Sequence, residues 1–182
     1  YDENTFTLGQ GGYKVTATNT YTRDTNDLSI QKFVLADPDY GMADVSGKTY
    51  QFTISGPAGT GSYAATGSMN EVSFTDGVAT VELKAGENLK IEDLPTGRYT
   101  VTEDADSAKI NGDTDWTWTP TADQTADLTS GTKNLVFNNA YTRNTGDLKI
   151  SKAVAGAGAD LAKNKTYTFT ITAPEALKGS YQ

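Results

Sequence analysis

Three side chains stand out because their chemistry disagrees with their neighbours. They are Lys32 in Leu28-Ser-Ile-Gln-Lys-Phe-Val34, Glu103 at the end of Tyr99-Thr-Val-Thr-Glu103, and Asn139 in Leu135-Val-Phe-Asn-Asn-Ala-Tyr141. Successive side chains of a strand point to opposite faces of the sheet. Leu28, Ile30, Lys32 and Val34 therefore share one face, with Ser29 and Gln31 on the other. Tyr99, Val101 and Glu103 share an inward face, against Arg98, Thr100 and Thr102. Leu135, Phe137, Asn139 and Tyr141 share a third, which selects Asn139 over its neighbour Asn138. A cation, an acid and an amide are thus each aimed at a core.

Burying a charge costs several kcal/mol unless it is paired, and burial favours the neutral form of both an amine and a carboxyl. A neutral lysine is a nucleophile. A neutral carboxylic acid can hydrogen-bond an amide oxygen, polarise its carbon and pass protons while ammonia leaves. The chemistry available to Lys32, Glu103 and Asn139 is therefore condensation of Lys32 with Asn139 to a secondary amide, with Glu103 shuttling protons. Folding supplies the effective concentration, so it should precede the reaction. The same residues also suit a buried Lys32 to Glu103 ion pair with Asn139 as hydrogen-bonding neighbour, or a lysine snorkelling at a sheet edge. Alternation alone leaves these arrangements open.

Other chemistry is poorly supplied. The 182 residues contain no cysteine and no histidine, which removes disulfides, thiolate ligands and the usual general base or metal ligand. Fifteen Lys and Arg against 23 Asp and Glu give a net charge of -8, which speaks against nucleic acid as a partner. No apolar run approaches the roughly 18 residues of a membrane span. No cofactor and no metal is expected. Asp37, Asp39 and Asp44, and again Asn111, Asp113 and Asp115, form small acidic loops, but neither follows the spacing of a calcium loop, and solvated turns are expected. Trp116 and Trp118 share a strand face that could meet a sugar or a protein; packing over the sandwich is the expected use. The Gly56 to Gly61 stretch lacks the lysine of a phosphate loop.

The elements that must position the triad are strands. Period-two alternation rich in Val, Ile, Thr, Tyr and Phe predicts strands at Leu28 to Leu35, Lys48 to Ser55, Val78 to Lys84, Asn88 to Ile91, Arg98 to Glu103, Trp116 to Thr119 and Asn134 to Tyr141. Leu94-Pro-Thr-Gly97 reads as a turn, and no segment shows a helical period. The expected fold is all-β, an immunoglobulin-like antiparallel sandwich, with an up-and-down barrel as the alternative.

The chain also repeats itself. Tyr21-Thr-Arg-Asp-Thr-Asn-Asp-Leu-Ser-Ile-Gln-Lys32 returns as Tyr141-Thr-Arg-Asn-Thr-Gly-Asp-Leu-Lys-Ile-Ser-Lys152, and Lys48-Thr-Tyr-Gln-Phe-Thr-Ile54 as Lys165-Thr-Tyr-Thr-Phe-Thr-Ile171. The register carries Leu8 onto Leu128, Gly11 onto Gly131 and Asn19 onto Asn139. The expected organisation is tandem: residues 1–21 as the last strand of a preceding repeat, 22–142 as one complete repeat, and 143–182 as the first strands of the next. The start at Tyr1 without a signal peptide suggests an excerpt of something longer. Asn19 and Lys152 then occupy the triad's positions in neighbouring repeats whose other members are missing.

Leu28-x-Ile-x-Lys32, Leu94-Pro-x-Gly-x-Tyr-x-Val-Thr-Glu103 and Phe137-x-Asn139-x-Tyr141 together resemble the Cna protein B-type and streptococcal pilin isopeptide-linkage domains of Gram-positive surface proteins. The resemblance implies an isopeptide bond between Lys32 and Asn139, with Glu103 as its catalyst. It also implies a stalk or shaft module of an adhesin or pilus, extracellular and anchored to the cell wall, a structural role with only single-turnover self-crosslinking. The implied partners are neighbouring repeats of the same chain, with any host ligand elsewhere in the full protein. A ligand-binding adhesin module recognising a host glycan or matrix protein is the competing function. Leu94-Pro-Thr-Gly97 lacks the residue between Pro and Thr that a sortase site has.

Overall fold

The computed structural model describes residues 11, 16–110 and 115–172. Its strands are β1 (Thr25–Leu35), β2 (Tyr50–Ser55), β3 (Gly61–Gly67), β4 (Glu71–Phe74), β5 (Val78–Leu83), β6 (Asn88–Pro95), β7 (Gly97–Glu103), β8 (Trp116–Thr119), β9 (Gln124–Leu128) and β10 (Lys133–Arg143). They form two sheets, one ordered β4-β3-β6-β1-β10-β8 and the other β5-β2-β7-β9. This is an all-β, immunoglobulin-like sandwich. The core lies between the sheets and is built from the alternate inward residues of both, among them Leu28, Ile30, Phe52, Ile54, Leu89, Ile91, Val101, Leu128 and Phe137.

Every strand pair is antiparallel except one. β1 and β10 run parallel, with Leu28 opposite Lys133, Lys32 opposite Phe137 and Val34 opposite Asn139. A parallel pair cannot be joined by a tight turn, and here the whole intervening sandwich is the connection. The antiparallel sandwich expected from the sequence is present, and its one parallel pair is this seam, where β1 and β10 meet.

β3, β4 and β9 add to the strands predicted from alternation, and one short helix, α1 (Ala105–Ala108), interrupts the all-strand expectation. α1 is a single turn, too short to show a period. The Asp104 carboxylate caps it by accepting from Ser107 N at 2.6 Å. Leu94 and Pro95 extend β6 beyond its predicted end, so the turn at this corner contracts to Thr96. Gly97 lies at φ 142°, and a Cβ there would stand 2.7 Å from Pro57 Cγ. Only glycine fits where the chain crosses from the six-stranded to the four-stranded sheet.

After Arg143 the described residues contain a single 3-10 turn, Ala159–Ala162, and no strand. The alternating apolar set Leu148, Ile150 and Val154 is exposed there, as are Tyr167, Phe169 and Ile171. Residues 16–24 are likewise without a strand. Leu8 and residues 173–182, part of the repeat register, lie outside the described residues.

Candidate functional site

Lys32 and Asn139 come from the parallel seam. Because Lys32 is opposite Phe137 and Asn139 opposite Val34, the two residues are diagonal neighbours on the same inward face of adjacent strands. Glu103 faces them from the other sheet, at the end of β7, where it pairs with Phe52 of β2. Lys32 and Asn139 have no exposed surface, and Glu103 is 8 % exposed.

One carboxylate holds both partners. Lys32 Nζ lies 3.0 Å from Glu103 Oε1 and 3.2 Å from Oε2, and Asn139 Nδ2 donates to Oε1 at 2.7 Å. The Lys32 ammonium also sits 4.4 Å from the centre of the Tyr50 ring, an attractive cation–π placement. Phe52 and Phe137 meet edge to face at 5.0 Å beside it. Burial drives the Lys32 pKa down to about 8, against the opposing pull of Glu103. The amine is thereby brought within reach of its nucleophilic form.

The Asn139 amide presents its nitrogen to Glu103, and its Oδ1 is buried without a partner. An ionised carboxylate can only accept hydrogen bonds, which accounts for this orientation. A protonated Glu103 would be a donor instead, with Oδ1 as the acceptor it could serve.

The rim of the site is clamped. Asp104, next to Glu103, donates its N–H to Gln51 O at 2.8 Å, and Gln51 N donates to Ser107 Oγ at 2.9 Å. Tyr141, on the Asn139 face of β10, donates its hydroxyl to the Ala108 carbonyl. The strand carrying the acid and the strand carrying the amide are therefore joined both inside the core and through α1. Sequence reading missed Tyr50 and Phe52 as walls of the site. Their signal was present in the alternation Tyr50-x-Phe52-x-Ile54 on β2.

The repeat-related residues are placed differently. Lys152 is exposed and donates to its neighbour's carbonyl, Ala153 O, at 3.0 Å; Asn19 is exposed as well. Among the described residues, neither pairs with an acid as Lys32 does with Glu103. The acidic loops divide in the same way. Asp37 accepts from the N–H groups of Asp39, Tyr40 and Arg143, which hold its carboxyl below the usual range and anchor the end of β10. Asp44 accepts from Ser46. Asn111 and Asp113 lie outside the described residues, and Asp115 pairs with Arg143. Among the described residues no cluster of three metal-ligating side chains occurs, and no helix is long and apolar enough to cross a membrane. Trp118 packs on the core while Trp116 lies under the Arg143 guanidinium at 5.2 Å.

No curated protein matches the chain. Among solved structures it is similar to a pilus-presented adhesin, Spy0125 (Cpa), at 21% identity and TM-score 0.47, covering 66% of this chain and 28% of that one. It is also similar to a major pilin protein (T3.2) from Streptococcus pyogenes, at 18% identity and TM-score 0.46, covering 64% and 45%. Another major pilin from Streptococcus pyogenes gives 19% identity and TM-score 0.39, covering 66% and 48%. The chain thus spans from about a quarter to a half of the length of these proteins. The family model described as a domain of unknown function, DUF7601, matches residues 26–141, a span that holds Lys32, Glu103 and Asn139 and nearly all of β1 and β10, and the chain belongs to that family.

Proposed function

We propose that residues 22–142 form a self-crosslinking structural repeat in which Lys32 and Asn139 condense to an isopeptide bond, with Glu103 as catalyst. The observation that carries this reading is the single buried carboxylate holding the lysine amine and the asparagine amide at hydrogen-bond distance. Glu103 first takes a proton from the Lys32 ammonium. Neutral Nζ then attacks Asn139 Cγ, and a proton from Nζ is relayed through Glu103 to Nδ2. The Cγ–Nδ2 bond breaks and Nδ2 departs as ammonia. Glu103 ends protonated and donates to the oxygen of the new amide. An ion pair and an orphaned carbonyl are replaced by one neutral, satisfied amide.

The parallel seam gives the bond its purpose. Pulling on the chain's two ends loads the start of β1 and the finish of β10, which lie at opposite ends of two parallel neighbours, so the force shears their ladder. A Lys32 to Asn139 bond carries that force across the seam without loading the core. It closes a loop of about 100 residues, which removes roughly 4 to 5 kcal/mol of unfolded-state entropy in the simple chain model. Unlike a disulfide it resists reduction, so this cysteine-free chain needs no oxidising compartment for it. The role that follows is a stalk or shaft repeat in a bacterial cell-surface protein, anchored to the cell wall and stacked against further copies of itself. Residues 1–21 and 143–182 then belong to the neighbouring repeats.

Intact mass is the decisive measurement. Folded wild type is expected to be lighter than its sequence by one ammonia, whereas Lys32→Ala, Asn139→Ala and Glu103→Ala keep their full sequence masses. A mature, folded wild type at full mass overturns the proposal.

A further inference from the structure

Condensation inside a sealed core raises the question of where the ammonia goes, since neither Lys32 nor Asn139 has any exposed surface. Tyr141 stands at the way out. It lies two residues beyond Asn139 on the same face of β10. Its hydroxyl donates to Ala108 O and lies 3.4 Å from the Tyr50 hydroxyl. Tyr141 also lines a cavity of about 310 Å³, together with Lys109, Ile110, Trp116 and Trp118. Lys109 is exposed, so the cavity reaches solvent there. A water occupies roughly 30 Å³ of liquid, so an ammonia molecule fits easily.

Building on the isopeptide reading, we propose that Tyr141 is a positioning residue for the Asn139 amide and that the cavity behind it is the departure route of the ammonia. The work is divided. Glu103 delivers the proton that turns Nδ2 into a leaving group, and the Tyr141 hydroxyl is the polar group carried by the next inward residue of β10. With its own proton committed to Ala108 O, the Tyr141 oxygen is an acceptor. It can therefore hold an N–H of the Asn139 amide and then of the released ammonia. Ammonia that leaves for solvent cannot attack the new amide and reverse the bond.

The test follows crosslinking by intact mass on protein whose native near-UV circular dichroism has already been restored after refolding, so that a folding defect is seen separately from a reaction defect. Tyr141→Phe keeps the ring and removes the hydroxyl. Ile110→Trp fills the cavity without touching the triad, and Lys109→Trp does so from its exposed wall. Tyr141→Phe is expected to lose its ammonia about tenfold or more slowly than wild type, because small misplacements of a reacting group carry penalties of this size, and both cavity-filling variants are expected to be slower than wild type because the released ammonia is kept beside the new amide. A wild-type rate in Tyr141→Phe overturns the positioning role. Wild-type rates in both cavity-filling variants overturn the route. If wild type itself never loses ammonia, the isopeptide reading fails instead, a result these variants cannot mimic.

Discussion

Lys32 and Lys152 occupy the same place in two nearly identical stretches of sequence, yet their surroundings differ. Both keep a tyrosine beneath the ammonium: Tyr50 at 4.4 Å from Lys32, and Tyr167 at 4.7 Å from Lys152. Those tyrosines sit in the repeated Lys-Thr-Tyr segments. The lysine-over-tyrosine contact thus accompanies the repeated sequence segments and forms at both. The acid is not local. Glu103 reaches Lys32 across 71 positions of chain and only because β7 packs in the opposite sheet. Lys152 has the tyrosine but neither the acid nor the burial. Nearly identical motifs therefore carry a buried lysine in one place and an exposed one in the other. What differs around Lys32 is the packing of β7 and β10 against β1.

The strongest way to break this comparison is to remove the acid that Lys32 has and Lys152 lacks. Glu103→Ala both prevents the bond and strands a buried ammonium, so it forfeits the roughly 4 to 5 kcal/mol of the crosslink and a further 3 to 5 kcal/mol or so for an orphaned charge. Asn139→Ala prevents the bond but leaves the Lys32 to Glu103 pair intact. Urea unfolding should therefore rank wild type above Asn139→Ala, and Asn139→Ala above Glu103→Ala. Equal stability of the two variants would mean that Glu103 does not hold Lys32 in the core.

A smaller effect sharpens the chemistry. The reactive form, neutral Lys32 beside protonated Glu103, carries the same number of protons as the ion pair, so converting one to the other takes no proton from solvent. Raising the pH through the Lys32 value of about 8 removes the shared proton and leaves the amine without its acid. The crosslinking rate should be level below about pH 8 and fall about tenfold per pH unit well above it. Simple attack by a free amine, with no part for Glu103, gives the opposite slope through the same point. Mass-resolved time courses in buffers from pH 6 to about 10 distinguish the two.

Much of the site was legible because alternation is a strong signal where large apolar residues make it. Lys32, Asn139 and Glu103 each sit in such a run, and the structure buries all three. The strands that escaped notice carry weak versions of the same signal. In β3, Gly-Ser-Tyr-Ala-Ala-Thr-Gly buries only Ala65, and β9 has only the small Ala126 and Leu128 inward, with Asp127, a residue type depleted in strands, between them. β4 is four residues long, with Val72 and Phe74 inward. Pro95 masked the end of β6, since proline in a run argues against a strand. There it pairs with Thr25, at the strand's last residue. The parallel seam was beyond sequence reading altogether, because alternation assigns faces to strands but says nothing of which strands are neighbours or how they run.

The least perturbing test lies in the other copy. If burial by a second sheet makes the site, then Lys152→Ala should leave both the lost ammonia and the unfolding midpoint of the 22–142 repeat unchanged, within the ~0.5 kcal/mol typical of surface substitutions. Lys32→Ala in the same assay should abolish the mass loss, though it alters a lysine in nearly the same local sequence. The tyrosine contact of Lys152 makes this a fair control, since a cation over an exposed ring contributes about 0.5 to 1 kcal/mol at most. A loss of crosslinking in Lys152→Ala would mean that the second copy takes part in the first one's chemistry. In that case the acid at Glu103 could no longer account for the difference between the two lysines.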